Sequence, residues 1–333
     1  MHIYTWLKWC YNVFVNIWIK IQFIGCFGSH RYQLKEILSM NLFEWFWEKV
    51  TKPMDEKRIK TLRVPSCNEQ SNIAYLDSGD PYHLLDIYYP LGEDKVLPTI
   101  IDIHGGGWYY GDKDLNKIYC LNLVERGFNV VNISYRLAPK ASLKDQVQDI
   151  VSALNYIVAH ANQYNIDLNN LFITGDSAGA HLTSLIINLI NDSDMQQAYG
   201  VQTDIKFKAV AYTCAVFDIS KLSTMPIVKS YFTPLFEKKG TKCDIYKYSS
   251  HRTDCTGGIP SLYITADGDF LKGQTIKGYE THKSLGYDAE LIYFPKDSQT
   301  NQLAHVYNVI QPDWEESKIA NDKTAEFFLK YIS

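Results

Sequence analysis

Short apolar runs bounded by turn residues recur along the chain. They fall at Thr61–Pro65, Leu84–Tyr89, Thr99–His104, Asn129–Tyr135, Leu171–Thr174, Lys208–Thr213, Ser261–Thr265 and Ala289–Phe294. Their continuous or period-two apolar pattern, rich in β-branched and aromatic residues, predicts strands. Segments of helix length lie between the later ones. Leu143–His160 sets Val147, Ile150, Val151, Leu154, Ile157 and Val158 on one face, and Trp314–Ile332 closes the chain in the same style. Parallel strands need crossover helices, so this alternation predicts an α/β protein with a mostly parallel, eight-stranded sheet covered on both faces. The first strands are expected to form an antiparallel edge, and functional groups are expected at the carboxyl ends of the strands.

Two stretches break the rhythm. Residues 3–27 (IYTWLKWCYNVFVNIWIKIQFIGCF) are strongly apolar, and their polar members Lys8, Asn12, Asn16 and Lys20 recur every fourth residue, along one narrow stripe of a helix. Lys20 and the two asparagines interrupt the run that a membrane span or a secretory signal requires. The expectation for residues 1–50 is therefore an apolar helical segment that lids the protein, with a helix lying in a membrane interface as the alternative. Met40 stands as a second point at which translation could begin. Residues 51–333 then form the main domain, within which about 217–258 mixes aromatics with Pro, Gly and charge and reads as an excursion capping the strand ends.

Composition narrows the function classes. With 46% hydrophobic and 21% charged residues the chain is neither disordered nor fibrous. Its 33 basic and 37 acidic side chains give a net charge of -4, so no basic field is available to neutralise nucleic-acid phosphates. The 7 cysteines include no C-x-x-C pair, which argues against a zinc ribbon or redox dithiol and fits a reduced, cytoplasmic compartment. Membrane association through the N-terminal helix is the alternative location.

The chemistry concentrates at strand ends. In LFITGDSAGAH (Leu171 to His181), an apolar strand runs into Gly175-Asp176-Ser177-Ala178-Gly179 and then an amphipathic helix, Ala180–Ile190. This is the context in which G-x-S-x-G forms a sharp turn that exposes a serine hydroxyl. Small flanking residues are required because the turn strains the backbone and brings chain segments too close for side chains. A serine hydroxyl needs a base to become a nucleophile, and the base needs an orienting acid. Four histidines follow Ser177: His181, His251, His282 and His305. His181 sits in the helix of Ser177 itself and His282 within a Lys277–Leu285 helix, whereas His305 follows the last strand on a polar loop and is the expected base. The acid should follow Ser261–Thr265, where both Asp267 and Asp269 stand, and spacing does not separate them. Upstream, His104-Gly105-Gly106-Gly107-Trp108 ends another strand. Consecutive glycines let backbone amides approach a developing oxyanion, so Gly106, Gly107 and Ala178 are the expected donors. The loop is not a phosphate cradle, since no G-K-[ST] or G-x-G-x-x-G follows it.

Together HGGGW, YRLAP (Tyr135 to Pro139), GDSAGAH, ADGDFL and AHVYN resemble the α/β-hydrolase superfamily, close to the hormone-sensitive-lipase-like and acetylesterase-like carboxylesterases. The resemblance covers about Thr61 to the C-terminus. It implies an α/β-hydrolase fold with a small helical cap, Ser177 as nucleophile, His305 as base, and Asp269 rather than Asp267 as the acid. It further implies a serine carboxylesterase acting on small to medium acyl esters, with a small-molecule ester as partner, no metal and no cofactor. Trp108 after the glycines and Ala180-His181 after the turn depart from the lipase-like pattern and recur in acetylesterase- and arylformamidase-like relatives. Trp108 is expected at the substrate pocket, and the acyl group is left open. An arylformamidase- or peptidase-like amide hydrolase is the alternative activity. A non-catalytic binding protein on this fold predicts the loss of a key Ser, His or Gly, and none is lost. Membrane contact through residues 3–27 and a homodimer are the remaining partners to weigh.

Overall fold

The computed structural model describes residues 47–92, 95–219, 222, 234–236 and 258–333. The expected N-terminal lid helix lies outside these residues. So does most of the expected cap, of which Phe217–Ile219, Leu222, Pro234–Phe236 and Gly258 are described. Among the described residues, no helix is long and apolar enough to cross a membrane.

Eight strands form one sheet: β1 (Asn68–Ala74), β2 (Leu84–Tyr89), β3 (Leu97–Ile103), β4 (Asn129–Ile133), β5 (Ile166–Asp176), β6 (Ala209–Thr213), β7 (Ser261–Ala266) and β8 (Ala289–Phe294). Their order is β1-β2-β4-β3-β5-β6-β7-β8. The β1/β2 and β2/β4 pairs are antiparallel and all others parallel. This is the predicted mostly parallel sheet with an antiparallel edge.

Thr61–Pro65, expected as the first strand, is not one: a helix, Lys52–Ile59, carries Pro53 in its first turn and ends in a turn in which Thr61 N–H and Leu62 N–H bond the carbonyls of Arg58 and Ile59. The alternation of Leu62 and Val64 is misleading, because Val64 is 62% exposed and Arg63 is held by Glu125 and Asp313 rather than by a neighbouring strand. The true first strand has the sequence NEQSNIA, exposed along almost its whole length. Its register shifts between Gln70 and Ile73, where Asn72 takes φ 58°. An irregular polar edge of this kind discourages pairing with another chain.

The parallel strands are apolar on both faces because helices cover both. Along β5, Leu171 and Ile173 join the core beneath the helices Leu143–Ala159 and Ala178–Ile190, while Phe172 joins the core beneath Lys113–Val124 and Glu315–Leu329. In the second core Phe172 stacks on Phe328 at 4.7 Å and meets Phe128 edge-on at 6.1 Å. Truncating such a ring to Ala costs about 3–5 kcal/mol. The helix Leu143–Ala159 starts with a reciprocal cap in which Asp145 N–H bonds Ser142 Oγ and Ser142 N–H bonds the Asp145 carboxylate.

Register aligns the strand ends. Ile103 lies opposite Gly175, Asp176 opposite Thr213, Thr213 opposite Ile264, and Ala266 opposite Phe294. The loops leaving β3, β5, β6, β7 and β8 therefore emerge side by side on one rim of the sheet.

Candidate active site

Ser177 stands between β5 and the helix Ala178–Ile190, with φ 52° and ψ -115°. A non-glycine residue in this region is strained and persists only where its surroundings hold it. Here Ser177 N–H donates to Thr213 O at 2.9 Å, and Ser177 O accepts from Val216 N–H and His181 N–H. The flanking glycines have a measurable steric cause. A Cβ at Gly175 would lie 2.5 Å from Thr183 Oγ1, and one at Gly179 would lie 2.1 Å from Ile103 O and 2.4 Å from His104 O.

Ser177 Oγ lies 2.9 Å from His305 Nε2, and His305 Nδ1 lies 2.7 Å from Asp269 Oδ1. Asp269 is buried at 4% exposure and also accepts from Leu271 N–H at 2.9 Å and Thr265 Oγ1 at 2.7 Å. Burial alone would raise its pKa. The opposing charge of His305 and the hydrogen bonds from His305, Leu271 and Thr265 outweigh it, and the carboxyl is held below its ordinary range. An ionised carboxylate only accepts, so Nδ1 carries the imidazole proton and Nε2 is left to accept from the Ser177 hydroxyl. Phe270 covers the imidazole with ring centroids 4.3 Å apart.

The structure separates the two aspartates that spacing left equal. Asp267 is turned to the surface, ion-paired to Lys272 and accepting from Tyr293 Oη at 3.1 Å. Those hydrogen bonds, Lys272 first, lower its pKa. The side chains of His181 and His282 are buried beside aromatic rings. His181 is buried at 1% with its ring edge-on to Trp108, and His282 packs beside Tyr263 Oη, where burial lowers its pKa to about 4. His251 lies outside the described residues.

The glycine loop is braced from three sides. Gly105 N–H donates to Asp176 Oδ1 at 2.9 Å, and a Cβ there would sit 2.3 Å from Asp176 Oδ2. Asn116 Nδ2 bridges Asp176 Oδ1 and Asp102 Oδ2 at 2.8 and 2.9 Å. The buried Asp102 is pushed up to about 8 by burial and by the neighbouring Asp176 charge. From the YRLAP segment, Tyr135 Oη donates to His104 O at 2.7 Å and Ala138 N–H to Trp108 O at 3.0 Å. Gly106 and Gly107 take φ 106° and 62°, which favour glycine. Ala178 opens its helix, where first-turn amides have no acceptor within the helix. Trp108, expected at the substrate pocket, takes φ 67° and is 2% exposed, with its ring edge-on to His181.

The sequence offered no signal for Cys214, which follows β6 with φ 47° and whose Sγ accepts from Val306 N–H at 3.2 Å. Among the described residues, Cys214, Asp269 and His305 form the one group of three metal-ligating side chains with mutually close donor atoms. Burial, and then the Asp269 charge, raises the Cys214 thiol well above its usual pKa, while Asp269 and His305 bond each other. The cluster is a hydrogen-bonded one. A cavity of about 450 Å³, lined by Ser66, Pro90, Leu91 and Leu97 among others, lies at the opposite end of β3 from this rim.

Esterase B from Lactobacillus rhamnosis, solved in its tributyrin phosphonate-inhibited form, superposes with a TM-score of 0.81 at 29% identity, covering 89% of this chain and 96% of that one. A probable isoprenylcysteine alpha-carbonyl methylesterase of Arabidopsis thaliana is 31% identical over 119 residues, 36% of this chain and 28% of its own length. The kynurenine formamidase of Danio rerio is 29% identical over 147 residues, 44% of this chain and 45% of its own length. The chain thus spans less than half the length of these two curated relatives. A family model described as BD-FAE matches residues 85–254, half of the chain and inclusive of the glycine loop and Ser177, and the chain belongs to that family, on an α/β-hydrolase fold.

Proposed function

We propose that this protein is a serine carboxylesterase that hydrolyses small to medium acyl esters through an acyl-enzyme. The observation that carries the reading is the hydrogen-bonded chain from buried Asp269 through His305 to the strained Ser177. Residues 51–333 are assigned to the catalytic domain and about 217–258 to its cap.

In the first step Ser177 Oγ attacks the ester carbonyl carbon while His305 Nε2 takes the hydroxyl proton. The carbonyl oxygen becomes an oxyanion, for which the amides of Gly106, Gly107 and Ala178 are the assigned donors; each such donor is worth roughly 10² to 10³ in rate. His305 then returns the proton to the departing alkoxide, leaving the acyl group on Ser177. Water, deprotonated by the same imidazole, releases the acid and restores the serine. Asp269 fixes the ring and stabilises the imidazolium that forms in both steps.

Similarity to esterase B, captured with a tributyrin phosphonate, supports short acyl chains and a nucleophile that reacts at a tetrahedral phosphorus. Similarity to kynurenine formamidase supports a second reading, an amide hydrolase on the same machinery. The test is hydrolysis of acetyl, butyryl and octanoyl p-nitrophenyl esters beside a formamide and an aminoacyl substrate. Ser177→Ala should keep its fold and lose several orders of magnitude in kcat on the short esters. A Ser177→Ala protein that keeps most of its activity overturns the reading, and a preference for formamide over every ester selects the second one.

A further inference from the structure

Tyr110 ends the glycine loop: its amide and that of Tyr109 both bond Gly106 O, at 3.0 and 3.2 Å, and its carbonyl packs so tightly on Gly106 that a Cβ there would lie 2.0 Å away. The base loop is built differently. Val306 follows His305 in the left-handed region, and its carbonyl accepts from the amides of Val309 and Ile310, closing the short helix Tyr307–Ile310. Nothing in the family motifs connects these two loops, which lie about two hundred residues apart in sequence.

The helix Lys52–Ile59 connects them through side chains. Tyr110 Oη donates to Asp55 Oδ2 at 3.1 Å, and Trp47 stacks on the Tyr110 ring at 5.3 Å with the planes 6° apart. Asp55 Oδ1 accepts from Arg58 Nε and Nη2 at 3.1 and 3.0 Å, and Arg58 Nη1 donates to Ile310 O at 2.7 Å. The Arg58 side chain is only 15% exposed and that of Asp55 20%, so water competes weakly for these bonds. The planar fork of arginine directs Nε and Nη2 one way and Nη1 another, a division that lysine cannot copy.

We propose that Asp55 and Arg58 are positioning residues for ester hydrolysis, a strut through Tyr110 that fixes the glycine loop relative to the loop carrying His305. The inference rests on the assignment of Ser177, His305 and the glycine-loop amides. The strut touches neither substrate nor reacting atoms. It acts because oxyanion donors and base must meet one tetrahedral centre, where a displacement of about 1 Å can cost about a hundredfold.

The test uses the full chain and follows kcat and KM on p-nitrophenyl butyrate, the rate of inactivation by an alkyl p-nitrophenyl phosphonate, and the melting midpoint. Asp55→Ala and Arg58→Ala should each lower kcat and the phosphonylation rate by about 10- to 100-fold while KM stays within about twofold. Asp55→Asn, which keeps an oxygen for Arg58 and a polar atom for Tyr110, should recover most of the loss, and Arg58→Lys should not. Tyr110→Phe keeps the ring stack and removes one hydroxyl, so it folds where a harsher variant does not; combined with Arg58→Ala it should add little to the single change. Normal kcat in a folded Arg58→Ala or Tyr110→Phe protein, with Ser177→Ala inactive, overturns the strut alone. Activity surviving in Ser177→Ala overturns the underlying assignment as well. A loss of kcat that merely tracks the unfolded fraction at the assay temperature also overturns the strut.

Discussion

Replacing Asp269 by Asn tests the acid with little change of shape. Asp269 Oδ1 faces two donors, His305 Nδ1–H and Leu271 N–H, and Oδ2 faces the Thr265 hydroxyl, which can rotate from donating to accepting. An asparagine therefore keeps its oxygen on the first pair and turns its amide to Thr265. What disappears is charge. The imidazolium formed in the transition state would face a neutral amide, and two unit charges about 4 Å apart at an effective dielectric of about 20 interact by about 4 kcal/mol. At about 1.36 kcal/mol per decade, kcat on p-nitrophenyl butyrate should fall by about a thousandfold, and further if the imidazole also adopts the wrong tautomer. KM and the melting midpoint should move little. Asp267→Asn is the control: its carboxylate lies on the surface with Lys272 and Tyr293, and kcat/KM should stay within about twofold. More than about a tenth of wild-type kcat left in Asp269→Asn, or a loss of three decades in Asp267→Asn instead, would refute Asp269 as the acid.

Two further changes probe the loop and its foundation. Gly106→Ala must fit a Cβ 2.0 Å from Tyr110 O at φ 106°, so kcat/KM should drop by at least about a hundredfold in a folded protein, while Gly273→Ala, with nothing within 4 Å, should leave activity unchanged; equal kinetics for the two would refute the close-packing argument. Asp102 keeps its proton up to about pH 8 when folded, whereas an unfolded aspartate ionises above about pH 3.9. The folded state thus binds the extra proton, and stability falls as pH rises through that window by up to about 1.4 kcal/mol per pH unit. Buried Asp176, also raised, adds in the same direction, and His104 and His282, lowered to about 4, oppose it only below about pH 6.5. Urea titrations between pH 6.5 and 8 should show the decline in wild type and a flatter profile in Asp102→Asn; identical slopes would count against a protonated Asp102.

Seven of the eight strands were legible because each is a short apolar run whose period survives burial on two faces. The exception, Asn68–Ala74, is an exposed edge whose polar sequence carries no period, and the alternation of Leu62 and Val64 just before it imitates one. The order of chemical groups was legible too, because a turn as sharp as that at Ser177 admits few residue types. Choosing between Asp267 and Asp269 was beyond spacing, since both occupy one short loop. The outcome depends on Thr265 Oγ1 and Leu271 N–H converging on Asp269, and on Lys272 drawing Asp267 outward. The burial of Trp108 was not legible for a related reason: it sits at a positive φ, and nothing in a residue's identity announces such a backbone.

Residue types alone would find a second serine, histidine and aspartate on this chain. Ser78 Oγ lies 2.5 Å from His83 Nδ1, and His83 Nε2 lies 3.2 Å from Asp149 Oδ1. The surroundings of this trio differ from those of Ser177. Asp149 already accepts from Arg136 N–H, Nε and Nη2 at 3.0, 2.8 and 2.7 Å, so its charge is spent on a guanidinium rather than reserved for an imidazolium. Ser78 Oγ also accepts from Asp80 N–H at 3.2 Å, which lowers its electron density, and the serine sits in an exposed turn rather than at the end of a buried parallel strand. Ser177 has a strained turn that presents it, and a catalytic serine also needs donors placed to receive the oxyanion. Treatment with an alkyl p-nitrophenyl phosphonate followed by peptide mass spectrometry should therefore place the adduct on Ser177 and leave Ser78 unmodified. An adduct on Ser78 that persists in Ser177→Ala would show that the residue trio suffices without the backbone.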